Sequence, residues 1–123
     1  MNVVDSSGWL EYFADGRNAG TYAAVIEAPA KLVVPSLSLL EVFRRVLVQR
    51  GEAAATQAVT LMSQGRVVDL DAALSIAAAR LSVAEKLPLA DSVMLATARA
   101  FGATLWSQDA DFKGLAGVRY VKA

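Results

Sequence analysis

The chain contains no cysteine and no histidine. Without cysteine there are no disulfides, thiolate nucleophiles or zinc–thiolate sites, which fits a reducing compartment. Without histidine the usual general base and the commonest transition-metal ligand are both missing. Any chemistry must rest on carboxylates, hydroxyls, Lys, Arg, Tyr or a hard metal ion. An excess of one charge is lacking too, since twelve basic residues cancel twelve acidic ones. No net field draws in nucleic acid, so such a substrate would need a local basic rim. No apolar run reaches the length of a membrane span. The start, MNVVDSSGW, lacks the basic and then apolar pattern of a signal peptide. A soluble cytoplasmic protein is the expectation. No repeat, low-complexity stretch or linker breaks the chain, so residues 1–123 are expected to form one domain. That length buries roughly two-thirds of the unfolded chain's surface without staples.

What is there is largely apolar, at 55% hydrophobic residues. Two accounts stand side by side. One is a tightly packed, alanine-rich helical core; the other is surface buried against a partner or a second copy. Short apolar segments alternate with helical patterns. Strands are expected over residues 1–5, 32–34, 67–70, 104–106 and 119–121. Helices are expected over 8–14, 22–27, 36–49, 52–63, 72–86 and 89–101, with Gly51, Gly65 and Gly102 as stops and Pro29 and Pro88 as punctuation. This alternation predicts an α/β fold, a short and mostly parallel sheet of 4–5 strands with helices on both faces.

In such a fold the strand C-termini and helix N-termini share one edge, where ligands bind. Asp5 ends the first strand. Glu41 lies in the first two turns of the helix after the second. Asp91 lies in the first turn of its helix, on the side shared by Met94, Leu95 and Ala98. Asp109 follows the fourth strand, with Asp111 close behind. Distant segments thus bring carboxylates to one expected edge. Two such charges about 5 Å apart repel by roughly 3 kcal/mol at an effective dielectric of about 20. A cluster of this kind protonates or binds a cation. With oxygen donors only, Mg²⁺ or Mn²⁺ is the expected ion, and metal-assisted phosphodiester hydrolysis the expected reaction class.

Each acid also has a local explanation. Asp5 fits a helix cap. Glu41 fits an ion pair with Arg44 or Arg45, or a capping box with Ser38. Asp91 fits the helix dipole, and Asp109 and Asp111 fit turn formation. Trp9, Tyr12 and Phe13 fit core or dimer packing as well as base stacking. An acidic phosphatase is disfavoured, because Asp5 is followed by Ser6 and Ser7 and not by an Asp-x-Asp pattern. A response-regulator receiver wants paired early acids, and Asp69 alone does not supply them.

VVDSSGWLEYF, SLLEVFRR, LADSVMLATAR and LWSQDADF, in that order, resemble the four acidic motifs of PIN-domain ribonucleases. The compact size resembles the VapC-type toxins of bacterial toxin–antitoxin pairs. The resemblance implies a three-layer α/β/α fold and Mg²⁺- or Mn²⁺-dependent endoribonuclease activity. It implies that Asp5, Glu41, Asp91 and Asp109 form the catalytic metal site, with Asp5 and Asp91 the closest ligands. Glu41 and Asp109 would bind directly or through water. Ser107 stands where the family often has Thr, and with Asp111 is placed in support. The resemblance also implies an RNA substrate, a small antitoxin partner and a homodimer. Ser6, Arg44, Arg45, Lys113 and Arg17 are the candidates for RNA contact. The alternative is a PIN-like module that binds RNA or antitoxin without cutting.

Overall fold

A computed structural model describes residues 1–123. The strands are β1 (Asn2–Val4), β2 (Val33–Pro35), β3 (Arg66–Val68), β4 (Thr104–Ser107) and β5 (Val118–Tyr120). The helices are α1 (Ser6–Phe13), α2 (Ala19–Ile26), α3 (Ser36–Arg50), α4 (Glu52–Met62), α5 (Ala72–Glu85) and α6 (Leu89–Ala100). Short 3₁₀ turns occupy Pro29–Lys31 and Ala110–Phe112.

All strand pairs are parallel. Three strands run β1-β4-β5 and two run β2-β3. A single parallel bridge, Asn2 to Leu32, joins the two groups. The result is one five-strand order, β3-β2-β1-β4-β5, with a seam between β2 and β1. The β-branched residues explain the layers. Along β1 and β2 successive valines point to opposite faces. Val4 and Val34 join a core with Trp9, Tyr22, Val42, Val46 and Met62. Val3 and Val33 join a second with Leu105, Met94, Leu95 and Ala98. Helices α1–α4 therefore cover one face and α5–α6 the other, giving the three-layer α/β/α fold. No helix is long and apolar enough to cross a membrane.

Some boundaries differ from the sequence expectation, each for a local reason. Helix α1 begins at Ser6 and not at residue 8, because the Asp5 carbonyl already accepts the Gly8 and Trp9 N–H groups. Strand β3 sits at the sheet edge and ends at Val68, with Arg66 and Val67 exposed. Asp71 then caps α5 through the Leu74 N–H at 2.9 Å. Helix α5 ends at Glu85 because Lys86 adopts a left-handed conformation, φ 54°. Trp9 is fully buried, which settles its role as core.

Gly8 fixes how α1 seats against α2. A Cβ there would lie 2.5 Å from Tyr22 Cε1 and 2.7 Å from Val4 Cγ1. Both neighbours are fully buried and cannot swing away. Gly8→Ala should cost about 1–3 kcal/mol through overpacking. Urea unfolding measures it, and an unchanged midpoint would mean that the α1–α2 contact is looser than described.

Candidate acidic active site

The carboxyl edge of the sheet collects the acids. Asp5 follows β1 and is only 4% exposed. Its N–H extends the β1–β4 ladder to the Trp106 carbonyl at 2.9 Å. Its side chain does not cap α1. Instead Oδ2 accepts hydrogen bonds from Ser7 Oγ and Ser107 Oγ, each at 2.9 Å. Burial raises the Asp5 carboxyl above its ordinary range. The Ser7 and Ser107 hydroxyls oppose that rise, and the Asp109 charge adds to it.

Ser107 is fully buried at the end of β4 and serves two groups. It donates to Asp5 and accepts the Asp109 N–H at 3.0 Å. Asp109 in turn accepts the Asp111 N–H at 2.9 Å, so it forms the turn that Ala110–Phe112 continues. Turn formation and site membership are compatible here, since one carboxylate oxygen closes the turn.

Glu41 sits in the second turn of α3. Its Oε1 accepts from Ser6 Oγ at 2.6 Å, 35 residues away in sequence. Neither the ion pair with Arg44 or Arg45 nor the capping box with Ser38 forms. The Ser38 hydroxyl points to Met94 Sδ at 3.2 Å, and no side chain caps α3.

Asp91 lies in the first turn of α6, half-buried. The helix dipole there favours a carboxylate. Its surroundings do not. Burial, then the charges of Asp109, Asp5, Asp111 and Glu41, push its carboxyl up to about 7. Every cause acts upward, and no hydrogen bond offsets them. These causes also map the site, because four other acids from three segments lie close enough to act on this one group.

The tightest grouping is Asp91, Asp109 and Asp111, whose nearest oxygens all lie within 4.8 Å of one another. Asp111, placed in support by the sequence, belongs to this group. Asp5 and Glu41 stand just outside it, each held by serine. The donor set is entirely carboxylate oxygen, with hydroxyls behind. That chemistry fits a hard divalent cation such as Mg²⁺ or Mn²⁺.

The basic candidates separate. Arg45 lines a cleft that opens beside Ser7. Arg44, one residue earlier, lines a different and nearly apolar groove with Leu40, Phe43 and Leu47. Lys113 is exposed just beyond Asp111, its Nζ 6.0 Å over the Tyr120 ring. Arg17 is exposed between α1 and α2. Ser7 is not among the site residues expected from the sequence. Its signal was available: a hydroxyl two residues after an acid, at a helix start.

The PIN domain family matches residues 3–118. Among curated proteins none matches the sequence. Among solved structures, the chain is similar to a toxin–antitoxin complex from Klebsiella pneumoniae at 21% identity, covering 97% of this chain and 96% of that one with a TM-score of 0.81. It is similar to the sarcin-ricin-loop-cleaving toxin VapC20 of Mycobacterium tuberculosis at 23% identity, covering 97% and 99%, TM-score 0.78. It is also similar to a DNA-bound VapBC2 complex from Rickettsia felis at 12% identity, covering 98% and 96%, TM-score 0.74. At these identities the likeness is one of fold.

The Asp91 environment predicts how metal-free protein responds to pH. The folded carboxyl, at about 7, lies above its ordinary value of 3.8. Between those values the native state holds the more protons, so raising pH through the window lowers stability. Asp91→Asn removes that loss. In EDTA the variant should be more stable than wild type near pH 8, with the advantage shrinking toward pH 4. Urea unfolding at both ends reads it, and an advantage that grows as pH falls would contradict the crowding of Asp91.

Proposed function

The chain belongs to the PIN-domain family, and from that premise we propose that it is a metal-dependent endoribonuclease, the toxin of a toxin–antitoxin pair. The observation that carries the reading is the convergence of Asp91, Asp109 and Asp111, with ligand oxygens within 4.8 Å of one another, in a chain of this family. The raised Asp91 carboxyl, with burial first and then Asp109, Asp5, Asp111 and Glu41 among its causes, agrees with that crowding.

In this reading Asp5, Glu41, Asp91 and Asp109 form the catalytic set, joined by Asp111. Asp91, Asp109 and Asp111 would hold a Mg²⁺ or Mn²⁺ directly, and Asp5 would offer the oxygen that Ser7 and Ser107 leave free. When bound, the ion polarises the phosphoryl oxygen and lowers the pKa of a coordinated water. The chain's own residues do the positioning. Ser107 locks Asp5 and the Asp109 backbone in one register. Ser6 holds Glu41 toward the edge, where it and Asp109 orient the attacking water. With no histidine in the chain, a carboxylate is the group at hand to take that water's proton.

The solved relatives support an antitoxin partner, since toxin–antitoxin and VapBC complexes share this fold. A small antitoxin would cover or enter the acidic edge. A homodimer is supported by Ile76 and Val83, which stand two turns apart on α5 at 55% and 83% exposure.

Purified, antitoxin-free protein should cut total bacterial RNA into discrete fragments in Mn²⁺, and Asp91→Asn prepared identically should not. Equal cleavage by both would remove Asp91 from the chemistry. Separately, Mn²⁺ at about 100 times its Kd should stabilise the fold by about 2.7 kcal/mol. A melting temperature identical in EDTA and in Mn²⁺ would remove the metal.

A further inference from the structure

The carboxyl edge of the sheet does not carry one sign of charge along its length. In the order β3-β2-β1-β4-β5 the acidic group sits over the middle strands. Beyond the end of β3 stand Asp69 and Asp71, both exposed. On the β5 side the sign reverses. Lys113 precedes that strand and Lys122 follows it, both exposed, and Arg17 is exposed on the loop between α1 and α2.

These three cations are fastened around the site by the backbone next to them. Asn18, the neighbour of Arg17, donates through Nδ2 to Gln108 Oε1 at 3.2 Å and to the Lys122 carbonyl at 3.0 Å. Gln108 stands between Ser107 and Asp109. The Val121 N–H, next to Lys122, reaches the Ser107 carbonyl at 2.8 Å. Lys113 comes two residues after Asp111, and its Nζ stands 6.0 Å over the Tyr120 ring. Tyr120 pairs with Ser107, and Asp5 extends β1 one residue past the Val4–Trp106 pair. Asp5, Ser107 and Tyr120 thus share one row across the end of the sheet.

We propose that Arg17, Lys113 and Lys122, with Tyr120 under Lys113, form a basic rim that binds the phosphates of single-stranded RNA on the β5 side of the cut. The inference rests on the ribonuclease reading above and adds the side from which the strand is held.

The argument for RNA is one of charge and its distribution. A bound cation can shield the scissile phosphate from the acids, but the phosphates next to it need fixed positive groups of their own. Asp69 and Asp71 repel them at the β3 end, so the β5 end is the favourable exit. Outside the metal group the rim meets two acids, Asp15 and Glu11, and Glu11 is turned to the loop backbone, accepting the Asn18 N–H at 2.9 Å. The rim is therefore net positive. Its cations come from three separate segments, a spread that suits a chain of phosphates better than one small anion. The Tyr120 ring holds the Lys113 ammonium by its face, which limits the freedom of an otherwise mobile side chain. None of the four residues lines the cleft beside Ser7 or the apolar groove of Arg44.

The test is steady-state cleavage of a single-stranded RNA oligomer of mixed sequence in Mn²⁺, at several salt concentrations. Arg17→Gln with Lys113→Gln and Lys122→Gln should raise KM about tenfold, keep kcat within about twofold, and reduce the salt slope of binding by about 2.1, the value for three single-strand phosphate contacts. Lys31→Gln with Arg66→Gln and Arg80→Gln removes the same charge from exposed positions off the rim and should change none of these. Tyr120→Phe should keep the wild-type KM, while Tyr120→Leu should share the defect of Lys113→Gln alone. The rise in melting temperature with Mn²⁺ should persist in every variant. A rim triple with unchanged KM and salt slope would overturn the rim while the ribonuclease stands. Equal defects in the two triples would overturn it as well, leaving net charge as the cause. A rim triple that keeps its RNA kinetics but loses an acidic protein partner would reassign the surface to protein. Wild-type protein that neither binds nor cuts RNA would overturn both readings together.

Discussion

The mutual repulsion of carboxylates at one sheet edge is the constraint on which the rest depends. Left alone, five acids drive each other apart or take up protons. The fold resists in two ways. It attaches the acids to the ends of different elements, so that separating them means unpacking strands and helices. It also gives them donors. Ser6 serves Glu41, while Ser7 and Ser107 serve Asp5. The Asp111 N–H serves Asp109, while Asp91 and the exposed Asp111 are left without a donor. Asp91, the more buried of the two, has its carboxyl raised.

The packing explains why that strain is tolerated. Helix α6 is buried without a break from Ser92 to Ala98, held between the sheet and α5. Its hydroxyls are satisfied inside the helix, Ser92 to the Leu89 carbonyl and Thr97 to the Val93 carbonyl, at 2.7 and 2.8 Å. Asp91 at its N-terminus has little freedom to retreat. A rigid support of this kind holds ligands close to a productive geometry.

The gathering of Asp5, Glu41, Asp91 and Asp109 along one edge was legible in the sequence, because short β-branched segments alternating with helices leave only one way to order strand ends and helix starts. The pairing within the edge was not. Ser6 and Ser7 are neighbours in the chain yet serve different acids, since successive helical residues point about 100° apart. The same rotation sends Arg44 and Arg45 into different grooves. Asp111 joins the tightest group because a 3₁₀ turn, invisible in a four-residue stretch, folds it back on Asp109. Val67 opens an expected apolar strand and is exposed, because nothing in its own segment says that β3 lies at the sheet edge.

The seam in the sheet has a consequence for the acids. Between β1 and β2 there is one bridge, Asn2 to Leu32. Glu41 belongs to the β2 bank, on the helix that leaves that strand. Asp5 and Asp109 belong to the β1–β4 bank. The Ser6–Glu41 hydrogen bond therefore stitches the two banks together above a line where the backbone holds them least. The two cores also span that line, Val4 with Val34 on one face and Val3 with Val33 on the other, so side chains and not backbone pairing hold the banks together and keep Glu41 facing the Asp5 side.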